Sequence, residues 1–249
     1  MPTETQQHPL VNASLSISRN GRHQYWVDDG PKVSSVTSLT AHVDGDKFGV
    51  GVNWAVKLVR DSGDLEAPKR MSQESASIGT VLHNDIDRFI KTGAIAENPL
   101  FSAWYSTIGQ RFDWVASEIF IYHPTELFGG TIDAISLNPN DSGGCIVWDW
   151  KTKERPSYEK YGGYLHEQAQ IAGYAAALRA MGSVYIPTKA CIGYIMRDGL
   201  STDTVDVDLP YATRLFMLSK ELHSMGKAQP FTNHQYTEVG SEAAWSLTR

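Results

Sequence analysis

No stretch of this sequence approaches the ~20 consecutive apolar residues that a membrane span requires. The opening MPTETQQHPL also lacks the basic and apolar regions of a secretory signal. A soluble, cytoplasmic protein with no membrane partner is therefore expected. Cysteine is scarce. Cys145 and Cys191 are the only two, and their separation excludes C-x-x-C spacing and speaks against a zinc site or a disulfide framework. Two thiols cannot supply the four that hold an iron–sulfur cluster, so none is expected. An excess of basic residues is missing too. A formal net charge of -6 argues against broad coating of duplex DNA, where clustered Lys and Arg supply the affinity. It leaves room for a narrow basic channel, or for a metal site that makes its own local positive field.

What the chain does have is 249 residues with 41% hydrophobic content, enough to bury a full core in one domain. The polar start suggests a disordered or loosely packed segment over 1–20, with a single domain from 21 to 249 and a few loose residues at its end. Between Gln24 and Leu39, QYWVDDGPKVSSVTSL reads as a hairpin about Asp28-Asp29-Gly30-Pro31. VGVNWAVKLVR has helical spacing, with Val52, Ala55, Val56 and Val59 as inward positions. A second helix is predicted from Ser77 to Lys91, closed by Gly93, and a third through FSAWYSTIGQRF.

Three strand-like segments follow, SEIFIYH, GGTIDAISL and CIVWDWKT. After them come the helix HEQAQIAGYAAALRAMG, the strands KACIGYIMR and TVDVDL, and an amphipathic helix with Pro near its start, PYATRLFMLSKELHSMGK. Strands flanked by helices in this order give an α/β domain, a central sheet with helices on its faces.

The chemistry concentrates in one hairpin. Asn138-Pro139-Asn140-Asp141-Ser142-Gly143-Gly144 is a dense run of turn residues. If the hairpin folds symmetrically about Asp141, Asp133 sits opposite Asp149. Facing residues on paired strands have Cβ atoms roughly 4.5–5.5 Å apart, and the two-residue period puts Lys151 on the same face as Asp149. Opposed carboxylates are destabilising unless neutralised, and a hard divalent cation such as Mg²⁺ or Mn²⁺ is suited to them. The plainer reading is an exposed hairpin whose polar face happens to carry two acids and a lysine. TIDAI and IVWDW are too apolar on both sides for an edge strand in water, which favours a central strand carrying the acids into a cleft.

Gly130-Thr131-Ile132-Asp133, Asp149-Trp150-Lys151-Thr152 and Gln170-x-x-x-Tyr174 resemble, in order, the G-x-I-D, D/E-x-K and Q-x-x-x-Y motifs of RecB-like nucleases of the PD-(D/E)xK superfamily. Gly79-Thr80-Val81-Leu82-His83 resembles the motif that adds a histidine ligand in that group. Ser35-Val36-Thr37 with Trp54-Ala55 is similar to N-terminal features of phage-encoded members. The resemblance spans roughly residues 25 to 180 and includes the mitochondrial genome maintenance exonuclease type; the iron–sulfur cysteines and helicase segments of other members are absent from this sequence.

The resemblance implies a restriction-endonuclease-like core, an α/β fold whose central mixed sheet is flanked by helices. It implies that Asp133, Asp149, His83 and the Trp150 carbonyl bind Mg²⁺ or Mn²⁺, and that Lys151 orients or activates the attacking water. Glu118 is similar to an upstream acid that reaches the metal in many members. Gln170 and Tyr174, four apart on one helix edge, are implied as DNA-binding or supporting residues.

Each of these has a plainer reading from the residues alone. His83 borders an apolar helix face and could be a packed histidine, Glu118 an unrelated surface acid, and Gln170 and Tyr174 ordinary packing residues. Lys153, Arg155 and Lys160, interleaved with Tyr158, Tyr161 and Tyr164, suit a single-strand path or a solvated mobile loop. The expected activity is a metal-dependent DNA exonuclease acting on single-stranded ends in replication, repair or recombination, alongside proteins of those processes. The alternatives are a structure- or sequence-specific endonuclease and a non-catalytic DNA-binding module.

Overall fold

A computed structural model describes residues 4–227 apart from 8, 12–15, 29, 42 and 44–49. Two sheets are present among the described residues. The smaller has three antiparallel strands, β1 (Glu4–Gln7), β2 (Ser16–Arg19) and β3 (Tyr25–Val27). β1 and β2 lie within the segment 1–20 that was expected to be disordered or loosely packed. Ile17, fully buried, packs with Tyr25 and with Phe120 of the large sheet, and this contact holds a polar segment in place. The predicted hairpin about Asp28 is reduced to one bridge between Tyr25 and Val33, because β3 pairs with β2 instead; Asp29 lies outside the described residues.

The large sheet contains β4 (Ser34–Ser35), β5 (Trp114–His123), β6 (Phe128–Leu137), β7 (Gly144–Lys153), β8 (Ile186–Met196) and β9 (Thr202–Asp206). The order is β4-β6-β7-β8-β9, with β5 paired to β6. It is mixed: β7 and β8 run parallel, as do β4 and β6, and the other pairs are antiparallel. β7 lies centrally, as its apolar flanks require.

Seven helices surround the sheets among the described residues: α1 (Val36–Thr40), α2 (Val50–Ser62), α3 (Ala67–Thr92), α4 (Pro99–Trp104), α5 (Arg155–Tyr161), α6 (Leu165–Ala180) and α7 (Leu209–Lys227). Two cores flank the sheet. On one face α1, α6 and α7 cover Ile132, Val147 and Ile192; on the other α3 and α4 cover Ala134, Trp148 and Trp150. Alternation along β7 therefore sends Asp149 and Lys151 toward α6 and the Trp150 ring toward Trp104, with ring centroids 5.7 Å apart.

Three helix expectations need adjustment. α3 begins ten residues before the predicted Ser77, and Gly93, with φ 75°, caps it as expected. The FSAWYSTIGQRF helix is shorter than predicted and passes after Trp104 into a π-helical turn, Tyr105–Gly109. In α2 the spacing is helical, but of the four expected inward positions Val52 and Val56 are exposed and Ala55 and Val59 half-buried, because among the described elements α2 packs mainly on α3. Among the described residues no helix is long and apolar enough to cross a membrane.

Candidate active site

The site lies where β6 loses its partners. β5 occupies one edge of β6 along nearly its whole length. The other edge is shared by β4, at Phe128 and Gly129, and by β7, from Ala134 to Leu137. Among the described residues no strand pairs with Gly130–Asp133 on that edge. The β6–β7 ladder joins Ala134 to Trp148 and Leu137 to Cys145, a register symmetric about Asp141. Asp133 and Asp149 stand one step beyond its last pair. There the strands part, and Asp133 bridges the opening: its Oδ2 accepts the Trp150 backbone N–H at 2.7 Å. Gly130 admits the Tyr174 ring into the same opening, since a Cβ at position 130 would lie 2.6 Å from Tyr174 Cε1.

Asp149 is 1% exposed. Its Oδ2 lies 2.5 Å from Lys151 Nζ, yet meets no donor in hydrogen-bond geometry. Gln170 Nε2 approaches Oδ1 at 3.4 Å and donates to the Tyr174 hydroxyl oxygen at 2.7 Å. Burial pushes the Asp149 carboxyl up to about 6; Lys151 opposes that rise and Asp133 adds to it. Burial works against the Lys151 ammonium, but Asp149 and Asp133 outweigh it and hold the lysine above its ordinary value.

Beside this pair, His83, Glu118 and Asp133 bring one ligand-capable atom each within 4.8 Å of one another. His83 Nδ1 is 3.6 Å from Asp133 Oδ1 and 4.0 Å from Glu118 Oε1. Its Nε2 is 3.1 Å from the Trp150 carbonyl oxygen. A carbonyl only accepts, so Nε2 carries the hydrogen, and Nδ1 is the ring nitrogen that faces the carboxylates. The β5–β6 ladder pairs Ser117 with Ala134 and Ile119 with Ile132, which places Glu118 opposite Asp133. Burial, then the Asp133 charge, pushes the Glu118 carboxyl up to about 7, against His83 and Arg19.

Two facing carboxylates with an imidazole nitrogen beside them suit a divalent cation of the Mg²⁺ or Mn²⁺ kind. Asp149, expected in that ligand set, is turned to Lys151 and lies outside the group, and the Trp150 carbonyl is engaged by His83.

The cations after β7 are engaged as well. Lys153 pairs at 2.7 Å with Glu167, which is 3% exposed, and lies 4.1 Å from the Tyr164 ring centroid. Glu167 also accepts from the Tyr194 hydroxyl at 2.9 Å and the Tyr164 N–H at 2.9 Å. Arg155 pairs with Asp198 and opens α5, where a mobile loop was one expectation. Sequence reasoning missed Glu167, whose only outward signal is its place three residues after Tyr164 at a helix start. It also missed Gln6 and Arg19, which reach the site from the small sheet and carry no local signal.

No curated protein sequence matches the chain. Several solved structures share parts of it at low likeness. The crystal structure of SSO0001 is 18% identical, covering 76% of this chain and 74% of that one with a TM-score of 0.36. A complex of LHK-Exo with dAMP is 13% identical, covering 78% and 87% with a TM-score of 0.39. The alkaline exonuclease LHK-Exo from Laribacter hongkongensis is 12% identical, covering 58% and 80% with a TM-score of 0.33. The family model of the PD-(D/E)XK nuclease superfamily matches residues 93–204, a segment that holds Glu118, Asp133, Asp149 and Lys151 and excludes His83 and the small sheet. Over residues 93–204, less than half of its length, this chain is similar to the PD-(D/E)XK nuclease superfamily.

Proposed function

We propose that the protein is a divalent-metal-dependent deoxyribonuclease that removes nucleotides from DNA ends, preferring single strands, in replication, repair or recombination. The observation that carries this reading is the meeting of His83, Glu118 and Asp133 at the gap in β6, directly beside the buried Asp149–Lys151 pair.

His83, Glu118 and Asp133 would hold Mg²⁺ or Mn²⁺, with Asp149 and the Trp150 carbonyl next in reach once Lys151 and His83 release them. The metal supplies Lewis acidity and charge neutralisation at the scissile phosphate. Lys151, kept as an ammonium by Asp149 and Asp133, cannot accept a proton at neutral pH. Its part is to orient the attacking water through that water's oxygen and to stabilise charge on the phosphate. Water oxygen bonds to phosphorus as a bridging P–O bond breaks; the water's proton leaves to solvent, and the departing bridging oxygen takes a proton from solvent to leave as a hydroxyl. Asp149 anchors Lys151, and Gln170, held by the Tyr174 hydroxyl, steadies Asp149.

The test is a cleavage assay of end-labelled linear and covalently closed circular DNA, single- and double-stranded, with Mg²⁺ or Mn²⁺. Stepwise loss of nucleotides from linear single strands, with circles left intact, is expected. Cutting of circles would assign endonuclease activity instead, and binding without cutting would assign a DNA-binding module.

A further inference from the structure

We infer that Gln6 is a positioning residue for Glu118, so that the three-stranded sheet is a working part of the metal site; this rests on the metal-binding reading above. Glu118 sits within β5 with φ 51°. The left-handed conformation is unfavourable for a non-glycine residue and persists only where the surroundings over-determine it.

Gln6 supplies that constraint. Its Oε1 accepts the Phe120 N–H at 2.8 Å, and its Nε2 donates to the Glu118 carbonyl at 3.2 Å. β5 pairs with β6 along its other edge, so one side-chain amide takes the two backbone groups that directly follow the twist, the Glu118 carbonyl and the Phe120 N–H, as a neighbouring strand would. Register explains how Gln6 arrives there. Gln6 pairs with Ile17, and Arg19 with Tyr25, so all four project from the same face of the small sheet. Ile17 and Tyr25 seal that face on Phe120.

Arg19 completes the arrangement on the side-chain end. Its Nη1 lies 3.8 Å from Glu118 Oε2 and 3.3 Å from Thr131 Oγ1, while its guanidinium covers the Phe120 ring at 4.7 Å. One carboxylate oxygen thus faces Arg19, and the other, Oε1, faces His83 at 4.0 Å. The backbone twist aims Glu118, and Gln6 holds the twist.

The experiment measures Mn²⁺ binding to the full chain without DNA, by electron paramagnetic resonance of free Mn²⁺, alongside thermal melting. Gln6→Met keeps length and bulk while losing both hydrogen bonds, and Gln6→Ala serves as a second variant. Each should weaken Mn²⁺ binding about tenfold, the low end of what supporting partners of metal ligands contribute. Thr5→Ala, a change in the same strand as Gln6 that loses a hydrogen bond to Ser18 of β2, should leave Mn²⁺ binding unchanged. In a Glu118→Gln background, Gln6→Met should have no further effect. An unchanged affinity in both Gln6 variants, or an equal loss with and without Glu118, overturns the inference and leaves the metal site standing. Absence of Mn²⁺ binding by the unmodified chain overturns both.

Discussion

Asp133 and Trp150 are joined across the mouth of the β6–β7 hairpin by a 2.7 Å hydrogen bond from the Trp150 N–H to Asp133 Oδ2. The bond closes the ladder with a side chain at the place where the main chains separate. It fixes one carboxylate oxygen and leaves the other, Oδ1, toward His83 at 3.6 Å. Asp133 thus has a structural half and a chemical half, and substitution can divide them. Asp133→Asn retains an acceptor for Trp150 and removes the charge. It should melt close to the unmodified protein while losing metal binding and cleavage. Asp133→Ala should in addition lose about 1–3 kcal/mol of stability from the unsatisfied N–H, measured by urea denaturation. Equal stability of the two variants would contradict this division.

Lys151→Ala should lower the cleavage rate about 100- to 1,000-fold, the usual scale for one electrostatic contact to a developing charge. Mn²⁺ affinity should change little, because the ion-pair partner of Lys151 is Asp149, which lies outside the His83–Glu118–Asp133 group. Single-turnover cleavage and Mn²⁺ titration on the same preparation check both halves. A rate near that of the unmodified protein would remove Lys151 from the chemistry.

The raised carboxyls give a pH signature. Glu118 moves from 4.5 up to about 7 and Asp149 from 3.8 up to about 6. Inside that window the folded chain holds protons that the unfolded chain releases, so the contribution of these two groups to stability is fully present below their unfolded values and is lost as pH rises through the folded ones. Metal reverses the cost by stabilising the ionised forms. Mn²⁺ should therefore raise the melting temperature more at pH 7.5 than at pH 5, and the difference should shrink in Glu118→Gln. An equal rise at both pH values would contradict the assignment of Glu118 to the metal group.

His83 separates a ligand from a packing residue. If its Nδ1 binds metal, His83→Ala shifts the Mn²⁺ requirement for cleavage upward, and high Mn²⁺ partly restores activity. A packing role alone would lower the melting temperature and leave the half-saturating Mn²⁺ concentration where it was.

Much of this site is legible along the chain because short-range rules set it. The turn residues from Asn138 to Gly144 dictate a register symmetric about Asp141, and the β6–β7 ladder has it. Gln170 and Tyr174 meet because residues four apart on a helix are neighbours. The rest depends on contacts that the local sequence does not encode. ETQQ and SISR have little strand propensity, and they become strands because Ile17 docks on Phe120, a hundred residues away. Left-handed backbone at a glutamate has no sequence signature, and neither does the amide of Gln6 that sustains it. Val52 and Val56 keep helical spacing, but burial needs a covering partner, and among the described elements α2 packs mainly on α3.

The most direct test of the account is single-strand cleavage as a function of metal. Linear end-labelled single-stranded DNA should remain intact in excess EDTA and be degraded on addition of Mg²⁺ or Mn²⁺, with Glu118→Gln and Asp133→Asn inactive or requiring far more metal. Cleavage that continues undiminished in excess EDTA would contradict the central claim, that His83, Glu118 and Asp133 gather a metal ion at the gap in β6 to hydrolyse DNA.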